Sequence, residues 1–233
     1  MQLSFAVNEA KVKDDSGMWF SLGSPDEATI QRLLQMEQAL CKQIVGQDEA
    51  VQRVAKAIIR GVAGLKDPKR PIATFVFLGP NEISKIDLAR TLAEFLFEDK
   101  RALVRFEMSN YQKENALTLL LGTPSGADGE LSEAVQRWPG CIILFNEIEK
   151  AHRDVLDLFF EMRDEGIIRA GHRPTIALKH CVVVACTNIG SQQIPPPSEQ
   201  CSAEVWRRCL DAAEDELVRV FPVWFLHRSD VAF

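Results

Sequence analysis

The segment 75–87 contains the residue types of a loop that binds phosphate. An apolar run ends at Gly79, and Lys85 follows at the spacing of the pattern G-x-x-x-x-G-K-[ST], with a helical stretch after it. In that pattern, backbone N–H groups and the lysine bind phosphate, and the final hydroxyl binds Mg²⁺. Here the second glycine is Ser84 and the hydroxyl residue is Ile86. The segment therefore indicates a nucleotide site with weakened phosphate and Mg²⁺ binding.

Two further apolar runs end in polar residues that could act on the same ligand. The run 142–145 leads into Asn146 and Glu147, where nucleotide hydrolases have an Asp that holds Mg²⁺ and a Glu that activates water. The run 182–186 leads to Asn188, whose amide could orient a water near the terminal phosphate. Taken singly, the first pair could simply cap a helix and Asn188 could be a turn residue. Because parallel strands end at one edge of a sheet, the three signals together favour a shared site.

The elements that must position these residues alternate between strands and helices. Apolar runs occur at 73–78, 102–106, 141–145 and 181–186, and helical patterns lie near 85–98, 129–137 and 151–164. This alternation predicts an α/β fold whose parallel sheet is covered by helices on both faces. Two helices are predicted before the first strand. After the fourth strand, an amphipathic helix over 203–220 and a short last strand are predicted.

Composition restricts the classes of protein that this chain can belong to. Its 233 residues suit an irregular leader over 1–27 and one α/β domain over 28–233. A net charge of −6 gives no support to nucleic-acid binding. No apolar run approaches the roughly 18 residues of a membrane span, and the first residues lack the plan of a secretory signal. The six scattered cysteines predict buried thiols rather than a metal or disulfide framework. A cytoplasmic location is therefore expected.

Longer motifs carry a family resemblance. They are residues 44–51 (IVGQDEAV), 64–68 (GLKDP), 70–71 (RP), 77–80 (FLGP), 92–97 (LAEFLF), 147–152 (EIEKAH), 187–191 (TNIGS) and 225–228 (FLHR). Through these motifs the chain, from about residue 28 onward, resembles the AAA+ module of ClpB-type Clp chaperone ATPases, specifically their second nucleotide-binding domain. The resemblance implies a P-loop NTPase fold of three αβα layers around a five-stranded parallel sheet.

The resemblance also implies roles for individual residues. A first group would lie beside the adenine, a second would form the phosphate loop, and a third would act in catalysis. In the third group, Glu147 is the base, Asn188 is the polar sensor, and Arg228 is a finger that reaches a neighbouring subunit's γ-phosphate. A surface arginine after a turn is the alternative for Arg228. The residues beside the adenine would be Ile44, Val45 and Gly46, and those of the phosphate loop would be Gly79, Pro80, Lys85 and Ile86.

The chain departs from the family pattern in three respects. Ser84, Ile86 and Asn146 replace residues that bind phosphate and Mg²⁺. The family's pore loop carries an aromatic residue that grips a translocated polypeptide, whereas the corresponding segment 122–131 is shorter and has none. The small helical lid domain that follows in the family is expected to be lacking.

Two functions remain open from the sequence, besides a truncated product without a settled role. The first is a module with lost or much weakened ATP hydrolysis that acts as a binding or regulatory protein. The second is an ATP-binding, slowly hydrolysing subunit that works in a ring with intact subunits. ATP or ADP would bind weakly, Mg²⁺ would bind only with nucleotide, and no metal site of protein ligands alone is predicted. The expected partners are intact AAA+ chaperone subunits or unfolded proteins, and neither nucleic acid nor membrane.

Overall fold

The computed structural model describes residues 27–44, 46–79, 82–169, 175–193, 202–221 and 230–232. The predicted leader lies almost wholly outside these ranges, so its boundary with the domain stays a prediction. Among the described residues, no helix is both long enough and apolar enough to cross a membrane.

The strands follow the apolar runs of the sequence closely. They are β1 (Ala73–Leu78), β2 (Leu103–Glu107), β3 (Ile142–Asn146), β4 (Ile167–Ile168), β5 (Ile176–Ala177), β6 (Val182–Thr187) and β7 (Asp230–Ala232). Five of them form one sheet in the order β2-β3-β6-β1-β7, and every neighbouring pair is parallel. The predicted five-stranded parallel sheet is thus confirmed. The antiparallel pair β4–β5 was not predicted.

The helices agree with the predicted pattern, with small shifts at their ends, except α5, which was not predicted. They are α1 (Glu27–Leu34), α2 (Met36–Gln43), α3 (Asp48–Val62), α4 (Glu82–Phe97), α5 (Ala116–Leu121), α6 (Glu130–Arg137), α7 (Arg153–Asp164) and α8 (Ala203–Val220). The first of the two helices predicted before β1 is divided at Gln35 into α1 and α2. Ser202 caps α8, because its hydroxyl accepts a hydrogen bond from the Val205 N–H at 3.4 Å.

The core consists of two apolar layers, one on each face of the sheet. Successive residues of β1 alternate between them, since side chains of a strand point to opposite faces. Phe75 and Phe77 pack with α2, α3 and α4, whereas Val76 and Leu78 pack with residues of α5, α6, α7 and α8. Both faces are therefore covered, which confirms the three-layer αβα arrangement.

The register of the strands brings their carboxyl ends to one level. Leu78 of β1 lies opposite Thr187 of β6, and Glu107 of β2 lies opposite Asn146 of β3. The residues that follow these positions therefore share one edge of the sheet. We call it the carboxyl edge.

The cysteines at the opposite end of the sheet are buried, as predicted. Cys141 precedes β3 and Cys181 precedes β6, and their sulfur atoms are 3.9 Å apart. The neighbouring Cys181 thiol and burial raise the pKa of the Cys141 thiol well above its ordinary value. The Cys141 thiol is consequently a neutral core group at physiological pH.

Candidate functional site

Lys85 lies at the centre of the carboxyl edge, in the first turns of α4. Its side chain is buried, at 7% exposure. Nζ donates hydrogen bonds to the backbone oxygens of Gly79 and Thr187, both at 2.7 Å, and to Asn188 Oδ1 at 2.6 Å. An ammonium group has three protons to donate, and these three acceptors are neutral oxygens of the protein. Two of the three segments that the sequence predicted to share a site, the segment 75–87 and the end of β6, are thus joined through one side chain.

The end of β3 carries a neutral amide at the position where nucleotide hydrolases have an Asp that holds Mg²⁺. Asn146 is almost fully buried, and its Nδ2 donates a hydrogen bond to Glu107 Oε2 at 2.8 Å. Arg105 forms an ion pair with the same Glu107. Glu107 was not predicted as a site residue, although its place directly after an apolar run was a usable signal. The amide is therefore engaged by a carboxylate of the neighbouring strand.

Glu147 follows in an unusual backbone conformation. Its φ and ψ are both +54°, the left-handed region that residues with a Cβ rarely adopt. Such conformations cluster at functional sites. The carboxylate accepts a hydrogen bond from Lys150 Nζ at 2.7 Å, and the side chain is 21% exposed. The predicted base is thus present at the carboxyl edge and paired with a lysine that sequence analysis did not single out.

The backbone after β6 is held from a third direction. The N–H of Asn188 donates to Glu149 Oε1 at 3.2 Å, and the N–H of Ile189 donates to Thr187 Oγ1 at 3.1 Å. Glu149 lies in the short 3₁₀ turn Ile148–Lys150 after β3. Glu149 was not predicted as a site residue. The one signal in the sequence was its position, two residues after Glu147.

Comparison with known proteins decides the family. The family model for the AAA domain (Cdc48 subfamily) matches residues 70–231, which is more than half of the chain. The chain belongs to this family, as a ClpB-type AAA+ domain. It is 40% identical over 233 residues to chaperone protein ClpB 1 of Thermosynechococcus vestitus, covering 96% of the chain and 26% of the relative. It is 46% identical over 169 residues to ClpB of Gloeobacter violaceus, covering 70% of the chain and 19% of the relative.

Solved structures agree with this assignment. A closed-state reconstruction of Hsp104 with ATPγS and FITC casein superposes with a TM-score of 0.79 at 31% identity, covering 91% of this chain and 37% of that one. The Hsp104–ADP complex of S. cerevisiae gives a TM-score of 0.78 at 32% identity, covering 90% and 37%. The chain spans about a quarter or less of the curated relatives compared above.

The residues of this AAA+ domain fit a phosphate group in part and do not fit Mg²⁺. Lys85 has the charge that phosphate needs, and Gly79 has a φ of +154° that favours glycine. Ile86, however, has no oxygen, and it is buried with the apolar residues of α2, α3 and α4 at 5% exposure. Asn146 offers only a weak neutral ligand. Across the ranges that the structure describes, no three His, Cys, Asp or Glu side chains form a metal site.

The remaining predicted residues are only partly described. Ile44 is buried in the core beside α2 and α3, and Gly46 adopts a φ of +79° between those helices. Val45, Pro80 and Arg228 lie outside the described residues. The adenine and finger roles of these positions therefore stay predictions.

The segment 122–131, predicted to correspond to the pore loop, closes on itself. Gly122 pairs with Asp128 as an isolated bridge, and the N–H of Thr123 donates to the Ala127 oxygen at 2.8 Å. Gly122 has a φ of +91°, and a Cβ there would lie 2.2 Å from the Ala127 oxygen. The segment is thus a tight polar turn between α5 and α6, and glycine is required where it closes.

Proposed function

We propose that this ClpB-type AAA+ domain has lost or much weakened ATP hydrolysis and acts as a binding or regulatory module. The contact set of Lys85 carries the proposal. A phosphate that binds Lys85 must replace hydrogen bonds of 2.6–2.7 Å to Gly79, Thr187 and Asn188. Hydrogen bonds to a charged group contribute about 1.5–3 kcal/mol each, so this exchange lowers the net affinity for ATP or ADP.

The residues that replace Mg²⁺ ligands support weak hydrolysis independently. Ile86 is packed into the core, and Asn146 already donates to Glu107. Loss of a Mg²⁺ ligand and of its charged partner removes several kcal/mol of transition-state stabilisation, about a thousandfold in rate. Lys85 retains a reduced role in holding nucleotide phosphate, and Mg²⁺ would enter only with the nucleotide.

The partners in this proposal are proteins. The relatives are chaperones by name, and one Hsp104 structure holds FITC casein. For this chain we infer contacts with intact AAA+ chaperone subunits or with unfolded proteins, in the cytoplasm. The closed turn from Gly122 to Asp128 presents no aromatic side chain, which favours binding over pulling on a polypeptide.

The second candidate is an ATP-binding subunit that hydrolyses slowly in a ring. Its support is the carboxylate of Glu147, which is retained at the carboxyl edge in a strained conformation. In that case Asn188 senses the γ-phosphate, Arg228 reaches a neighbouring subunit, and Ile44, Val45 and Gly46 lie beside the adenine.

A nucleotide titration tests both candidates. The protein is titrated with a fluorescent ATP analogue with and without Mg²⁺, and phosphate release is followed. We expect weak binding that Mg²⁺ does not strengthen, and no turnover. Tight Mg²⁺-dependent binding with turnover that Glu147→Gln abolishes would overturn the proposal and establish the slow ATPase. No binding at millimolar nucleotide would exclude the slow ATPase.

A further inference from the structure

Glu149 is an inward-facing carboxylate next to the candidate site. Its Oε1 accepts a hydrogen bond from the backbone N–H of Asn188, 39 positions away in sequence. Its Oε2 is buried too and has no hydrogen-bond partner among the residues that the structure describes. A surface glutamate would turn both oxygens to water, so packing holds this one toward the end of β6.

The group that Glu149 holds is the peptide unit between Thr187 and Asn188. The N–H of this unit donates to Glu149, and its C=O accepts from Lys85 Nζ at 2.7 Å. Because a trans peptide is planar and its N–H and C=O point in opposite directions, one rigid group connects the carboxylate to the ammonium. Hydrogen bonds in such a chain polarise and strengthen one another.

The Asn188 side chain follows directly after this peptide unit and gives Lys85 a further acceptor. Its Oδ1 accepts from Lys85 Nζ at 2.6 Å, the shortest of the three contacts of that ammonium given above. A rotation of the peptide unit about the line between its two Cα atoms would leave this side chain in place but would turn the Thr187 carbonyl away from Lys85. The orientation of the unit therefore decides whether Lys85 keeps its backbone acceptor in β6.

We propose that Glu149 is the positioning residue of this site: it fixes the Thr187–Asn188 peptide unit so that the Thr187 carbonyl faces Lys85. This inference deepens the proposed function, because it names the group that keeps Lys85 in its protein-bound position. Glu149 acts through the peptide unit and touches no phosphate.

Amide exchange and lysine NMR in the full chain test the inference without nucleotide. In Glu149→Ala we expect the Asn188 amide to exchange at least tenfold faster and the Lys85 ammonium signal to disappear. Glu149→Gln keeps an oxygen acceptor of the same reach, so exchange should stay within about threefold of wild type and the signal should persist. Glu149→Asp keeps the charge but is one methylene shorter, and it should behave like the alanine variant.

Glu133→Ala on the exposed side of α6 is the matched control and should change neither signal. Unchanged Asn188 exchange in Glu149→Ala would overturn the inference. An equal rise in the exchange rate of the Val184 amide within β6 would also overturn it, because that would indicate a general structural role. So would an Asn188 exchange rate in Glu149→Gln as high as in Glu149→Ala. The proposed function stands or falls separately, on the nucleotide titration.

Discussion

The two halves of the carboxyl edge differ in the sign of the charge they carry and in the partners of that charge. The β1–β6 half, formed by Gly79, Lys85, Thr187 and Asn188, buries a cation among neutral oxygens. The β2–β3 half, formed by Glu107, Asn146, Glu147 and Lys150, pairs its partly exposed carboxylates with an arginine and a lysine. Each half satisfies its charges internally. The charged side chains at the carboxyl edge therefore have their partners within the protein itself.

The largest expected effect lies in the β1–β6 half. Lys85→Met should lower the free energy of unfolding by about 2–3 kcal/mol, because oxygens that accept from the ammonium lose a charged donor. Chemical denaturation measures this change. Lys100→Met is the control: Lys100 is 64% exposed and should change stability by less than about 0.5 kcal/mol. An equally stable Lys85→Met variant would show that the lysine is loosely held and open to phosphate.

The next effect joins the two halves. Restoring Ser84→Gly, Ile86→Thr and Asn146→Asp together should raise Mg²⁺-dependent nucleotide affinity at least tenfold, about 1.4 kcal/mol. Titration with the fluorescent ATP analogue measures it. The control with Ser84→Gly alone should gain less, because it adds no Mg²⁺ ligand. If the triple variant gains nothing, the hold on Lys85 rather than the missing ligands limits binding.

A smaller effect concerns the β2–β3 half alone. Asn146→Asp sets a second carboxylate at hydrogen-bond distance from Glu107 and should lower stability by about 1–2 kcal/mol at pH 8 without Mg²⁺. The loss should vanish below about pH 4, where one carboxyl is protonated and the repulsion ends. Adding Glu107→Gln should restore stability at pH 8. A variant as stable as wild type at pH 8 would mean that this half tolerates an acid without metal.

The smallest effect is at Tyr111, which follows β2 and is the single tyrosine of the chain. Burial, and then its hydrogen bond to Glu130, raise the pKa of its phenol well above the ordinary value. The native state therefore favours the protonated phenol. Its contribution to stability is present below about pH 10, the unfolded pKa, and is lost as pH rises toward the folded value.

Tyr111→Phe should accordingly cost about 1 kcal/mol at neutral pH and remove part of the alkaline loss of stability. Tyrosinate absorbance offers a direct check, since no other tyrosine contributes. Native protein should show no tyrosinate near pH 10. Ordinary titration at that pH would mean that the phenol is accessible and that Glu130 does not hold it.

Most of the frame could be predicted because its central strands β1, β3 and β6 are buried on both faces. An almost wholly apolar run such as β1 has one stable place in a layered α/β protein, and its predicted bounds match the structure. The helix over 203–220 was equally clear from its amphipathic periodicity. The pair β4–β5 was missed because two-residue strands leave no periodic signal.

The candidate site could be predicted as a set of residues but not as a set of contacts. Spacing brought Lys85 and Asn188 to one edge, and the structure joins them. The sequence could not show that Lys85 also donates to the Thr187 carbonyl, because every residue type has the same backbone acceptor. The left-handed backbone of Glu147 was equally hidden, since that conformation is typical of glycine and is imposed here by tertiary packing.

The strand order has a consequence for synthesis on the ribosome. β1 is paired with β6 on one side and β7 on the other, and Leu78 cannot meet Thr187 until 109 further residues are made. At about 5–20 residues per second, this delay is roughly 5–20 s. During that time the apolar β1 has neither of its two sheet neighbours.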